Sequence, residues 1–535
     1  MKLHDSCFTH IIVGAGSSGC LLANRLSASS KNSVLLLETG GWNSNFWLKL
    51  PVGYYRSINN KKVSRHYATI PSTGTAGRSI DWPRGQVVGG SSSINGLIFT
   101  RGQKENFDNW AMQSDPSWGF DNVLPHFRNF ENFSGPLNEF HNNKGELHVS
   151  ELRNDHPFCR AWIKAALQFG LPQNNDFNGA SSLGIGSYHL SIGKRWRSSA
   201  YDAFLKPILG RGNLTVKTNT FVEKINIKEG VATGVQLRHQ GKTMNVRAIK
   251  ETVLCAGAIQ TPQLLQLSGI GPEKLLKKLH IPVLVNRPSV GGNLQDHYQM
   301  RTIVKMKRAL SFNNYVRNPF SLIKMGLEWL FLGRGPLTVG AGQVGGGART
   351  EYAKTIAPDI QFFIMPLSVD KPGDPLHSYP GFTASVWQCH PESRGRVDII
   401  SSNPEASPKI QPNYLKSRLD QKTLISGVKM LREIHSQSEF KNLWTEEMIP
   451  GKFIQSDEEI LREIQKVAGT VYHYSGSCRM GNDDEAVVNP ELQVRGICHL
   501  RIADASIMPS ITSANTNAAT YMIAEKAAQM MLRCR

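Results

Sequence analysis

The stretch FTHIIVGAGSSGCLLANRLSASSKNSVLLLETG, residues 8–40, limits the fold more than any other part of this chain. It reads as strand, tight turn, helix, strand. An apolar run covers 8–13, Gly14-x-Gly16-x-x-Gly19 makes the turn, SGCLLANRLS is helical, and Val34–Leu37 is a second buried strand ending at Glu38. A G-x-G-x-x-G alone carries little information. Here it follows a strand, opens a helix and precedes an acid by about 20 residues, the full context for holding a dinucleotide. Gly14 permits the turn, and Gly16 lets the backbone approach a pyrophosphate. Ser17, Ser18 and Gly19 begin the helix whose N-terminus stabilises that charge. Glu38 is placed to accept hydrogen bonds from a ribose. An acid there favours an unphosphorylated ribose, so NAD or FAD rather than NADP.

The remaining 495 or so residues leave room for further domains, given typical domain sizes of roughly 100–200 residues. The chain carries a net charge of +19. Its basic residues are scattered, without the clustered footprint of a nucleic-acid binder, so no nucleic-acid partner is expected. None of the eight cysteines forms a C-x-x-C pair, which gives no zinc-type spacing and suits a reducing cytosol. MKLHDSCFTHIIVG goes straight into a strand without the pattern of a signal peptide. No apolar run approaches the ~20 residues of a membrane span. A cytoplasmic protein is expected.

Along the chain, 41–80 is an irregular, aromatic excursion. DWPRGQVVGGSSSINGLIFTRG (81–102) is dense in Gly and Ser without being a linker, and small residues in series let backbone N–H groups approach a ligand. Residues 212–255 alternate like antiparallel strands, 382–400 form another strand region, and 420–436 and 456–468 are polar-faced helices. In 300–334, Arg301, Lys305, Lys307, Arg308, Arg317, Lys324 and Arg334 stand against Glu328 alone, which predicts a partly solvated amphipathic face. Leu500–Ala503 is a strand, and Asn515-Thr516-Asn517 caps a long helix whose positive end aims at whatever precedes it. In GTVYHYSGSCRMG (469–481), His473 is followed by small residues. It could be a core histidine, a metal ligand, or an acid/base set against something flat. With no second ligand at i+2 to i+4, a metal is not expected. His297 reads as structural.

Four stretches together resemble the glucose–methanol–choline family of FAD-dependent oxidoreductases. They are the N-terminal G-x-G-x-x-G with Glu38, RGQVVGGSSSIN (84–95), GAIQTPQLLQLSGIG (257–271), and the pair VYHYSGSCRMG with ADASIMPSITSANTNAAT; VGGNLQDH (290–297) adds a fifth. Gln86, Tyr474 and Ala519 depart from the family's common residues. The resemblance implies an α/β fold: a Rossmann-like FAD domain of residues 1–152, 195–304 and 463–535. A substrate domain on an antiparallel sheet would take 153–194 and 305–462. It implies that Glu38 holds the adenosine ribose and that Val222 meets adenine through its backbone. Trp82, Arg84, Val88, Gly89, Ser92, Asn95 and Gly96 would line the pyrophosphate and isoalloxazine. Asp504 and Ala505 would touch the pyrophosphate and ribityl chain, and Asn515 and Thr516 would face the flavin pyrimidine. His473 would be the base for an alcohol hydroxyl, with Asn517 holding the same oxygen.

The implied reaction is oxidation of a primary alcohol to an aldehyde, with proton abstraction and hydride transfer to flavin N5. FAD is expected to be non-covalent, because Ile94 stands where covalent members carry a histidine. Gln299 stands where choline-oxidising members place a glutamate, so an uncharged alcohol is expected rather than choline. The expected electron acceptor is a quinone. The basic charge suggests loose attachment at the inner membrane. An oxygen-using alcohol oxidase is the nearest alternative. Family members that are hydroxynitrile lyases or light-driven fatty-acid decarboxylases supply the others, the latter kept open by Cys389.

Overall fold

The computed structural model describes residues 6–371 and 373–533. Its larger sheet has seven strands. In space their order is Leu214–Lys217, Val34–Leu37, Cys7–Val13, Lys242–Leu254, Val231–His239 and Thr220–Lys228, with Leu500–Ile502 also paired to Lys242–Leu254. The pairs around Cys7–Val13 are parallel. Parallel strands need crossover connections that cover both sheet faces, and Val34–Leu37 is accordingly buried at every residue. Lys242–Leu254 changes character along its length. Its first half pairs antiparallel with Val231–His239 and is largely exposed. Its last residues run parallel to both Ile11–Val13 and Leu500–Ile502 and are buried.

The helix Ser17–Leu26 leaves the first turn and is buried at all but one position. The C-terminal helix Thr516–Arg533 packs against it. Gly14 and Gly19 explain how the helix Ser17–Leu26 lies so close to the sheet. Gly14 adopts φ +103°, and a Cβ there would lie 2.5 Å from the Cys255 carbonyl oxygen. A Cβ on Gly19 would lie 1.9 Å from the Gly14 carbonyl oxygen. Only glycine lets helix and strand approach this closely.

The second sheet is antiparallel, in the order Val344–Ala348, Ile360–Met365, Gly381–Gln388, Tyr298–Met306 and Trp444–Ile449, with Gly469–Thr470 on the start of Tyr298–Met306. Strand periodicity gives it two faces. Met300, Val304, Phe362, Ile364, Ala384 and Val386 share one hydrophobic core with Leu424, Val428 and Leu431 of the helix Arg418–Ser436. The opposite face borders a cavity between the two sheets. The architecture is therefore mixed α/β with an antiparallel second sheet, as expected. The expected boundary at 304 falls inside the strand Tyr298–Met306.

Two regions differ from expectation. Residues 300–334 are not one solvated face. They begin as an interior strand of the second sheet, then form the helices Phe312–Tyr315 and Pro319–Leu327 and a π-helical turn, Glu328–Leu332. The basic residues concealed the strand because alternate positions, Met300, Thr302 and Val304, carry the buried face. The excursion 41–80 contains the short helices Phe46–Lys49 and Tyr54–Ser57 and a strand, Ser64–Ala68, paired with Asp81–Gly85.

Candidate active site

A cavity of about 310 Å³ runs from the first turn to the second sheet. Of the residues singled out in the sequence, Gly14, Gly16, Ser17, Ser18, Glu38, Arg84, Asn95, Gly96, Val222, Asp504, Ala505, Asn515, Thr516, Asn517 and His473 line it. Gly19, Trp82, Val88, Gly89 and Ser92 do not. Trp82 is fully buried and stacked on Tyr474, ring centroids 3.6 Å apart. Val88 belongs to the core. The Gly89 N–H donates to the Ala15 carbonyl, and the Ser92 hydroxyl donates to the Gly89 carbonyl while accepting from the Ala200 N–H. These five support the wall rather than form it.

The lining suits a dinucleotide. A Cβ on Gly90 would lie 2.6 Å from the Gly16 Cα, so two backbones approach where a phosphate must also be approached. The Ser18 hydroxyl is buried without a hydrogen-bond partner. Helices starting at Ser17, Gly257 and Thr516 all begin at the cavity. The Glu38 carboxylate accepts from the backbone N–H of Ala15 (3.0 Å) and Gly40 (2.8 Å); burial still pushes it up to about 7. Asp504 accepts from the Gly257 N–H at 2.8 Å and the Thr261 hydroxyl at 2.6 Å, which ties the 257–271 motif to the C-terminal segment.

Around His473 the structure forms a chain of hydrogen bonds with a defined polarity. His297 Nε2 lies 3.0 Å from the Cys389 carbonyl oxygen, which can only accept, so Nε2 carries the proton. Its Nδ1 is then a lone pair, and His473 Nδ1, 2.9 Å away, must donate to it. That leaves His473 Nε2 unprotonated. Asn515 Nδ2 donates to it at 3.1 Å. The unprotonated Nε2 fixes the Asn515 amide, because a turned amide would set its oxygen against that lone pair; in the observed orientation Oδ1 accepts from the Thr100 hydroxyl at 3.0 Å. Burial holds both imidazoles neutral. His297 is lowered to about 3, and His473 well below its ordinary value, with His297 and the Arg84 guanidinium adding to the effect. The His473 backbone is pinned by its N–H to Asp296 Oδ1 at 2.8 Å, while Asp296 Oδ2 accepts from the Thr470 and Tyr414 hydroxyls.

Three placements differ from the sequence reading. Asn515, not Asn517, reaches His473; the Asn517 Oδ1 accepts from the Ser17 hydroxyl at 2.6 Å. His297, read as structural, sets the tautomer of His473. Arg301, counted as surface charge, lines the cavity. The QDH triplet 295–297 was the available signal for the second of these, since it lies opposite the segment that carries His473. Cys389 does not line the cavity, and burial raises its thiol well above the ordinary value.

A glycine-cradled dinucleotide cavity with a neutral, oriented imidazole beside it defines a class of cofactor-dependent oxidoreductases. The sequence matches GMC oxidoreductase over residues 8–299 and again over 391–524, and the chain belongs to that family. It is 36% identical over 535 residues to an alcohol dehydrogenase [acceptor] of Pseudomonas putida, covering 98% of this chain and 96% of that one. It is 37% identical over 535 residues to the mitochondrial choline dehydrogenase of Homo sapiens, covering 98% and 89%. Pyridoxine 4-oxidase from Mesorbium loti superposes with a TM-score of 0.89 at 28% identity, covering 98% and 99%. A formate oxidase, at 24% identity and TM-score 0.92 over 99% of each chain, shares the fold. The protein is an FAD-dependent oxidoreductase acting on CH–OH donors.

Proposed function

We propose that the protein oxidises a primary alcohol to an aldehyde, with His473 Nε2 as the base. The observation that carries this is the polarity of the chain Cys389–His297–His473–Asn515, which leaves a lone pair on one defined nitrogen at the cavity wall. FAD, when bound, supplies the hydride acceptor. Gly14, Gly16, Ser17, Ser18, Glu38, Val222, Asp504 and Ala505 would hold it, with Arg84, Asn95, Gly96 and Thr516 near its reacting end. An alcohol hydroxyl entering the site takes the place of the Asn515 amide N–H at His473 Nε2, donates there and transfers its proton. Asn515 Nδ2 donates to the same oxygen as charge develops on it, which stabilises and orients the alkoxide. Asn517 acts indirectly, through Ser17 in the first helical turn.

The test is His473→Ala. It should keep its bound FAD and lose turnover by roughly 10²–10⁴-fold, the usual contribution of base catalysis. Retention of more than about a tenth of the wild-type rate rules out this base. We also propose that FAD is non-covalent, because Ile94 lines the cavity and offers no nucleophile. Acid precipitation should give a colourless pellet and a yellow supernatant.

The acceptor we propose is a quinone, with the enzyme at a membrane surface. No helix among the described residues is long and apolar enough to cross a membrane. However, Phe320 and Phe331 are 82% and 71% exposed, beside Lys324 and Arg334. An exposed apolar patch with basic neighbours suits an anionic lipid surface. Cosedimentation with anionic but not neutral vesicles, reversed by salt, supports it. Fast turnover in air with no gain from a soluble quinone favours an oxidase instead.

A further inference from the structure

Arg301 sits in the middle of the cavity face of the second sheet. On that face it is registered opposite Ser385, which is opposite Phe363, and all three line the cavity with Gln299 and Met365. Several other arginines withdrawn from water have carboxylates: Arg25 pairs with Glu146 and Glu525, Arg101 with Glu131, Arg432 with Glu447, and Arg501 with Glu251. Arg84, which also lines the cavity, donates to the Tyr472 carbonyl at 3.3 Å. Arg197 instead donates to Asn95 and to the Ser92 carbonyl. Among the described residues Arg301 has neither an ion pair nor a side-chain hydrogen bond. Its ionisable surroundings are Tyr472, Tyr54 and Tyr55, neutral at physiological pH, and Asp374, which lies beyond ion-pair distance. A guanidinium withdrawn from water without a counter-charge is costly, and burial lowers its proton affinity accordingly. Tyr472 adjoins His473 in the chain, so the unpartnered cation and the base share one cavity.

Resting on the alcohol-oxidising reading, we infer that the substrate is a hydroxy acid: its carboxylate seats on Arg301 while its hydroxyl meets His473. The planar fork of arginine matches a carboxylate with two parallel hydrogen bonds. One guanidinium balances one carboxylate. A phosphate monoester dianion would keep a second charge unmatched among tyrosines. This replaces the neutral-alcohol expectation, which rested on Gln299 alone; a cation such as choline would meet Arg301 directly.

The experiment compares ω-hydroxyalkanoates with their methyl esters, with n-alkanols of the same length and with the corresponding phosphate monoesters. A dye serves as acceptor, and the enzymes are wild type, Arg301→Gln and Arg301→Lys. Wild type should prefer the hydroxy acid to its ester in kcat/KM by at least about tenfold, the size of a charge-assisted hydrogen bond. Arg301→Gln should remove that preference, and Arg301→Lys should restore part of it. Hexanoate binding is measured in parallel by calorimetry, and should weaken at least about tenfold in Arg301→Gln. Equal use of acid and ester by wild type, an unchanged ratio in Arg301→Gln, or a preference for the phosphate overturns the inference. Arg301-dependent hexanoate binding without turnover of any alcohol would instead overturn the alcohol-oxidising reading and leave the carboxylate site standing.

Discussion

Asn515 and Asn517 lie two positions apart and have different partners, so their replacements should fail differently. Asn515→Ala removes the donor at the reacting oxygen and should lower kcat roughly 10²-fold while the protein keeps FAD. Asn517→Ala loses the bond from Ser17, worth about 1 kcal/mol, and should show first in FAD retention on dilution. Equal losses of kcat from both would contradict this assignment. His297→Phe leaves His473 Nδ1–H without its acceptor and frees the tautomer. A kcat loss of about 10²-fold or more, with KM little changed, is expected. Because His473 is held well below its ordinary value by burial, it stays neutral as pH falls from 8 through 6.5. The competent base is the neutral form, so kcat/KM should be flat across that range and fall only in more acid solution. A midpoint at or above 6.5 in the pH profile would show the ring to be protonated more easily than its surroundings imply.

At the scale of elements, a buried ion network ties three segments together. Arg101 pairs with Glu131 at 2.8 Å, and His141 bridges Glu131 and Asp176, each at 3.0 Å. Burial opposes the charged imidazole, but the bonds to Asp176 and Glu131 outweigh it and raise His141 above its ordinary value. His141→Ala takes a partner from both Glu131, which keeps Arg101, and Asp176, and should destabilise the fold by about 3–5 kcal/mol, measured by denaturant melting. What was legible at this scale follows from locality. The first turn and the helix Ser17–Leu26 are written in neighbouring residues, and Glu38 follows the next strand. The pairing of His473 with Asn515 depends on the rotational phase at which the C-terminal helix begins. That phase is set by packing against Ser17–Leu26, not by the NTN triplet itself. Arg301 was illegible for a related reason. A charge on a strand is counted with its sequence neighbours, while its environment comes from Ser385 and Phe363, many residues away.

Over the whole molecule, buried neutral histidines recur. His10, His126, His156, His189 and His390 are lowered to about 4, and His297 and His435 to about 3, with burial the largest cause in every case. Each is protonated near 6.5 in the unfolded chain but not in the folded one. Between those values the unfolded state binds more protons, so stability falls as pH drops below 6.5, by up to about 1.4 kcal/mol per pH unit for each group. His141 opposes the trend: its raised value adds stability below 6.5 that is lost as pH rises through its folded value. With His148 and His473 also lowered, nine histidines stand against His141 and against Glu38 and Asp296, two carboxylates that burial raises to about 7, so the sum predicts a melting temperature that drops between pH 6.5 and 5. A melting temperature constant over that interval would mean these rings have water access that the fold denies them.

The hydrogen-bond chain behind His473 ends at the Cys389 backbone carbonyl. A carbonyl oxygen can hold a hydrogen bond but cannot carry a proton onward, so the chain orients without conducting. A proton received at Nε2 has no exit to the rear and must leave through the cavity, with or after the product. Turnover in mixed H₂O and D₂O should then show a single transferring proton, a linear dependence on deuterium fraction. The rate of regenerating the base should follow product departure rather than buffer concentration.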